Sequence, residues 1–218
     1  MHGSWTTSFV HEPHRYLLPT LPEGGPLGRG RCGRPWPGTD IPAIYGELPR
    51  AAAMINEPVR RGRITGTDPL TPLSGAAPID VFGIGTEDLH RHVDGDVVGC
   101  GDLLTAQLHD EVARRRVYVH TAHWTSLGLS LIEAMHMGMP VVAVAATEAP
   151  AAVPRTAGVV SADPEVPAAA IRRFVHEPEV AAICGKAARD AAGATYGLDR
   201  FHGDWNRLPA DVTGKGSP

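Results

Sequence analysis

H-T-A-H-W-T-S-L-G-L-S-L-I-E-A-M-H-M-G-M-P-V-V-A-V, His120 to Val144, is the most informative stretch of the chain. Val117-Tyr118-Val119, immediately before it, predicts a strand. A polar loop follows, and a helix is expected from Gly128 to Met137, with Leu129, Ile132 and Met135 on one side. Gly138 ends that helix, and Pro140 to Val144 begins a buried strand. The first amides of a helix have no partner within it, and the helix dipole adds positive potential there. The opening near Gly128 is therefore an anion site in waiting, and glycine lets a ligand approach the backbone closely. Glu133 lies between apolar neighbours, one and a half turns in. A carboxylate there can accept two hydrogen bonds from a pair of ribose hydroxyls.

The same alternation extends to both sides. Upstream, Ala51 to Ile55 is a short apolar run, and Gly66 to Leu73 has helical character weakened by Pro69 and Pro72. Ile79 to Phe82 and Asp96 to Val98 predict strands, and Asp102 to Arg114 a helix with Asp102 as its cap. Downstream, Val159-Val160 predicts a strand, and Pro164 to His176, Glu179 to Ala192 and Leu198 to Leu208 predict helices. Apolar strands alternating with helices imply an α/β fold, a Rossmann-like parallel sheet with helices on both faces. In such sheets ligands bind outside the carboxyl ends of the strands, where strand order reverses.

Residues 1–49 read differently. Within the first 50 residues stand eight of the 20 prolines and eight of the 25 glycines, so we expect an extended arm with short strand-like runs at Ser8 to Val10 and Tyr16 to Leu18. The domain proper is expected over 50–208 and a fraying, disordered tail over 209–218.

Composition narrows the function. The 218 residues are 43% hydrophobic with a net charge of −4, which supports a core and gives no basic face for nucleic acid. No run is apolar enough for a membrane span, the start does not read as a secretory signal, and three scattered cysteines suit a reducing cytoplasm. Lys186 and Lys215 are the only lysines against 18 arginines, a GC-rich composition.

Thr125-Ser126-Leu127-Gly128-Leu129, Glu133-Ala134-Met135, Gly138 and Pro140-Val141-Val142-Ala143 together resemble the donor-binding signature of family 4 glycosyltransferases, which have the GT-B fold of two facing Rossmann-like domains. The resemblance runs over roughly residues 50–208, through Ala157 to Val160, His176 to Glu179 and the closing Tyr196 to Leu208. It implies a nucleotide-diphosphate sugar donor, transfer with retained anomeric configuration, no essential metal and no cofactor. It gives Glu133 the nucleoside ribose, and Gly128 and Leu129 the phosphates or the sugar. Arg60 or Arg61 matches the diphosphate-binding arginine of the family. No lysine accompanies it; Thr65 sits near that place and Arg63 would substitute. Thr125 occupies the position of a sugar-contacting glutamate, and with Ser126 it would face the donor sugar. His2 to Val10 has an echo of the first strand and loop of an acceptor-binding domain, so the chain reads as a shortened relative whose acceptor is unknown. Acceptor activation would then need an opposite domain or a partner chain, and apolar surface bared by the shortening would favour a homodimer. The alternative is a non-catalytic nucleotide-binding or interaction module.

Other patterns weigh less. Ser126 also reads as a plain helix cap, and the three arginines as a solvated turn. His120 and His123 lack a third well-spaced metal ligand. Phe82-Gly83-Ile84-Gly85-Thr86 follows a strand but has Asp88 where a dinucleotide loop needs glycine. No nucleophile elbow or phosphate loop occurs; Ser130 has Ile132 where an elbow requires glycine.

Overall fold

The computed structural model describes residues 46–213. Most of the N-terminal arm, with its two short strand-like runs, and residues 214–218 lie outside the described residues. The described residues divide into two compact units, one ending at Thr195 and one beginning at Tyr196.

The first unit holds six strands: β1 (Leu48–Met54), β2 (Ile79–Phe82), β3 (Val97–Gly101), β4 (Arg115–His120), β5 (Val141–Val144) and β6 (Gly158–Ser161). They form one sheet in the order β3-β2-β1-β4-β5-β6, and every pairing is parallel. The connections carry helices α1 (Gly62–Thr65), α2 (Leu70–Ser74), α3 (Thr105–Ala113), α4 (Leu129–His136) and α5 (Ala149–Ala152); α6 (Glu165–His176) and α7 (Pro178–Tyr196) follow β6. Strand order reverses between β1 and β4, the place where ligands bind in sheets of this topology.

Strand alternation sorts the side chains. Ala51, Ala53, Ile79, Val81, Val97, Val117, Val119 and Val142 face one way and form the main core with Ile171, Phe174 and Val175 of α6. Complete burial of a side chain such as Ile171 contributes about 1.5–3 kcal/mol. Ala52, Asp80, Phe82, Tyr118 and His120 occupy the alternate positions and are also buried.

Two arginines hold Asp80 there. Arg50 donates from Nε and Nη2, the latter at 2.6 Å, and Arg115 donates from Nε at 2.8 Å. Arg115 also bonds Glu111 of α3 and lies over the Phe82 ring at 4.9 Å, so one guanidinium ties α3 to two strands. Arg116, next in sequence, donates to the carbonyls of Val175 and, at 3.3 Å, Gly46. It thereby satisfies the carboxyl end of α6 and fixes the chain entering β1.

Several boundaries differ from expectation. β1 starts at Leu48, within the stretch read as the arm, and α3 starts at Thr105 with Leu104 in the capping position rather than Asp102. The helix expected over Gly66 to Leu73 starts only at Leu70, as α2, because Gly66 adopts φ +72 and ends the preceding α1. That left-handed turn places Gly66 against Thr121, where an added Cβ would lie 1.8 Å from the carbonyl oxygen.

Of the second unit, helix α8 (Leu198–Thr213) is described. It continues past Leu208, where we expected fraying. Arg200 and Arg207 both pair with Asp204 along it. Phe201 and Trp205 stack one turn apart, ring centroids 6.4 Å.

Candidate functional site

Two loops meet at the reversal of strand order. The first leaves β1 through Ile55 to Arg61 and enters α1. The second leaves β4 through Thr121 to Gly128 and enters α4. They are tied main chain to main chain: the amides of His123 and Trp124 donate to the Ile64 carbonyl at 3.0 and 3.2 Å. The Thr121 hydroxyl donates to the Thr65 carbonyl at 2.9 Å.

α4 begins at Leu129 with Gly128 in the capping position and no side-chain cap. Ser126 is therefore not the cap; it is exposed and two residues too early. Among the described residues the amides of Gly128, Leu129 and Ser130 donate to nothing, and the first bond of the helix runs from Leu131 to the Gly128 carbonyl. Three donors thus stand free at a helix start. Leu129 and Trp124 are exposed beside them, and Thr125 is half-buried.

Below this opening lie Tyr118 and His120, two positions apart on β4, with ring centroids 6.2 Å apart. Tyr118 is fully buried, which drives its phenol well above the usual range; its Ser130 side-chain and Met54 main-chain hydrogen bonds pull the other way. The His120 ring lies directly under Gly128. A Cβ on that glycine would be 2.6 Å from its Cε1 and 3.1 Å from its Nε2. Burial pushes the imidazole down to about 4, so it is neutral at physiological pH.

Glu133 stands on the next turn of α4, its side chain 41% exposed. One oxygen lies 3.7 Å from Nε2 of His109 on α3, beyond direct hydrogen-bond distance, and that nitrogen is buried without a partner among the described residues.

The three arginines of the first loop have different surroundings. Arg60 is paired with Glu57, Nε to Oε1 at 2.7 Å, which holds the Glu57 carboxyl below its usual range. Glu57 itself has φ +55, and its amide donates to Ile84. Arg61 and Arg63 are exposed, and neither side chain makes an ion pair among the described residues. Their loop is joined to the α4 opening, while the guanidinium groups stay in solvent.

The glycine loop after β2 is occupied internally. The Asn56 side chain accepts from the Ile84 amide at 3.0 Å. The buried Thr86 hydroxyl donates to the Gly83 carbonyl and accepts from the Gly101 amide. This loop follows the second strand of the sheet rather than the first and leads into a 3₁₀ turn, Leu89–Arg91, so the dinucleotide reading fails. Among the described residues no group of three or more His, Cys, Asp or Glu could hold a metal ion, and no helix is long and apolar enough to cross a membrane.

The loop carrying the three arginines is tied to the loop that enters α4, and Glu133 stands on the next turn of that helix. His120 and His109 lie beside them, against Gly128 and Glu133 respectively. The signal for His120 was a polar residue ending an otherwise apolar strand; nothing local marked His109.

The family model for glycosyl transferases group 1 matches residues 96–191. That segment holds β4, the loop and α4. No curated protein sequence matches the chain. Among solved structures the chain is similar to sucrose-phosphate synthase from Thermosynechococcus elongatus, with a TM-score of 0.65 and 21% identity over 81% of this chain and 51% of that one. It is similar to HepE from Anabaena in complex with UDP, with a TM-score of 0.59 and 18% identity over 76% of this chain and 48% of that one. It also resembles the C-terminal domain of a group 1 glycosyl transferase family protein, LpcC, from Francisella tularensis, with a TM-score of 0.53 and 12% identity over 73% of this chain and 98% of that one. The chain spans about half the length of the first two. The fold is thus the Rossmann-like unit found in GT-B glycosyltransferases.

Proposed function

We propose that the chain binds a nucleotide-diphosphate sugar at the carboxyl rim of its sheet and transfers the sugar with retained configuration, in the manner of family 4 glycosyltransferases. One observation carries the reading: three free amides at the start of α4 stand one turn from a half-exposed carboxylate, at the switch point of the sheet. The amides of Gly128 and Leu129 suit the diphosphate, with Arg60, Arg61 and Arg63 supplying positive charge from the adjoining loop. Glu133 suits the ribose hydroxyls, and Thr125 and Ser126 the donor sugar.

In the transfer, the bond from the anomeric carbon to the diphosphate oxygen breaks and one to an acceptor oxygen forms. Negative charge grows on the departing diphosphate, where amides and arginines act most strongly. Residues 50–208 would be the nucleotide-sugar domain. The acceptor and its base belong to an opposite domain or a partner chain.

Calorimetry against UDP, GDP and ADP, followed by a donor-hydrolysis assay with the accepted base, tests this. Binding with turnover is the expected result; no binding to any of the three overturns it. A second reading, a nucleotide-binding module without activity, is favoured by Thr125 alone, which brings no charge to a position where the resembling family has a carboxylate. Binding without turnover would select it.

A further inference from the structure

We infer that His120 is a specificity-determining contact of this site, reading a hydroxyl of the donor's sugar through its Nε2 edge; this rests on the donor-binding reading above. The residue is 6% exposed, yet its side chain has no hydrogen-bond partner among the described residues. A side chain at this depth that is not spent on an internal hydrogen bond is available to a ligand. Its position supplies one. The ring ends β4 and sits under Gly128, with Cε1 and Nε2 turned toward the α4 opening. The three amides left free among the described residues and the ring therefore lie at the same helix start.

The chemistry favours a hydroxyl over a phosphate oxygen. Phosphate oxygens accept hydrogen bonds and call for positive charge, which the amides and the arginines can provide. His120 has no carboxylate against it to favour the charged form, and burial opposes that form. A neutral imidazole nitrogen either donates or accepts according to tautomer, and a hydroxyl can answer both. The Thr121 hydroxyl, next in sequence, is already committed to the Thr65 carbonyl and cannot serve. A neutral ring would thus add a hydrogen bond to the sugar without adding charge.

The test compares each nucleoside diphosphate with its sugar conjugates. Affinities of the full chain and of H120F and H120Q are measured for UDP, GDP and ADP, and for their glucose, N-acetylglucosamine and mannose forms. H120F should weaken the accepted sugar nucleotide by about tenfold, the scale of one net hydrogen bond, with H120Q intermediate and the bare diphosphate changed by less than about twofold. In the wild-type chain the His120 Cε1–H resonance should shift on saturation with the sugar nucleotide and hardly with the diphosphate; this readout needs no variant to fold. Equal losses for both ligands, or an unmoved resonance, overturn the inference and leave the donor site standing. Failure of the wild-type chain to bind any nucleotide removes both.

Discussion

Arg60 and Glu57 form a forked pair in the loop that leaves β1, and Glu57 holds it from a left-handed backbone conformation. The arginine nearest the family pattern is thus occupied by an internal carboxylate. A diphosphate would have to displace or share it. E57Q should therefore tighten diphosphate binding by about two- to fivefold, the scale of an exposed pair, and R60A should weaken it. Equal affinities in calorimetry for wild type, E57Q and R60A would remove Arg60 from the site.

Gly128 has no room for a side chain. G128A would drive a Cβ to within 2.6 Å of the His120 ring, so the ring or the first turn of α4 must shift. We expect a stability loss of about 1–3 kcal/mol by urea unfolding, and a fall in diphosphate affinity beyond tenfold or so because the amides are re-aimed. Unchanged affinity would mean that the ligand does not use those amides.

Glu133 should act on the sugar ring of the nucleoside. E133Q is expected to weaken a ribonucleoside diphosphate by about tenfold and its 2′-deoxy analogue much less, since a charged hydrogen bond is lost only where a hydroxyl was present. Matching losses for the two nucleotides would assign Glu133 a structural part with His109 instead.

Acid should destabilise the fold through buried histidines. His120 is pushed down to about 4 by burial, and His136 is lowered by burial and then by Arg189. Unfolded histidine titrates near 6.5, so the unfolded chain binds more protons between these values. Stability is full above about pH 6.5 and is lost as pH falls toward 4, by about 3 kcal/mol for His120 alone. Urea midpoints measured across this range should slope less steeply in H120Q than in wild type; parallel slopes would contradict the assignment.

Asp80 tests the polar tie beneath the sheet. Its side chain is 5% exposed and receives both Arg50 and Arg115. D80N removes the buried carboxylate that the two guanidinium groups share, leaving Arg115 with Glu111 and Arg50 with Asp96, and should cost about 3 kcal/mol in urea unfolding. D190N, which removes an exposed partner of Lys186, should be indistinguishable from wild type.

Much of this architecture was legible in the sequence, because apolar strands and helices with the right period announce themselves locally. β2 over Ile79–Phe82 matched to the residue, and α4 began one residue after Gly128. Capping was less legible. Asp102 and Ser126 have capping chemistry, but the extended capping residues are Leu104 and Gly128, so the helices start later. The break at Gly66 was invisible because its cause is distant: the Thr121 carbonyl, 55 positions on, occupies the space a Cβ would need. The Asp80 cluster and the His109–Glu133 approach likewise depend on which strands and helices become neighbours, and no local spacing encodes that.

β1 sits in the middle of the sheet, and one of its two neighbours, β4, is made some sixty residues later. A ribosome delivering this chain therefore releases β1, β2 and β3 while one flank of β1 still lacks a mate. Distant pairings of this kind are slow and leave open backbone exposed to other nascent chains. Newly made protein should depend on holding factors until Arg115–His120 arrives, and a cut anywhere between Gly101 and Arg115 should give two pieces that clump unless made together.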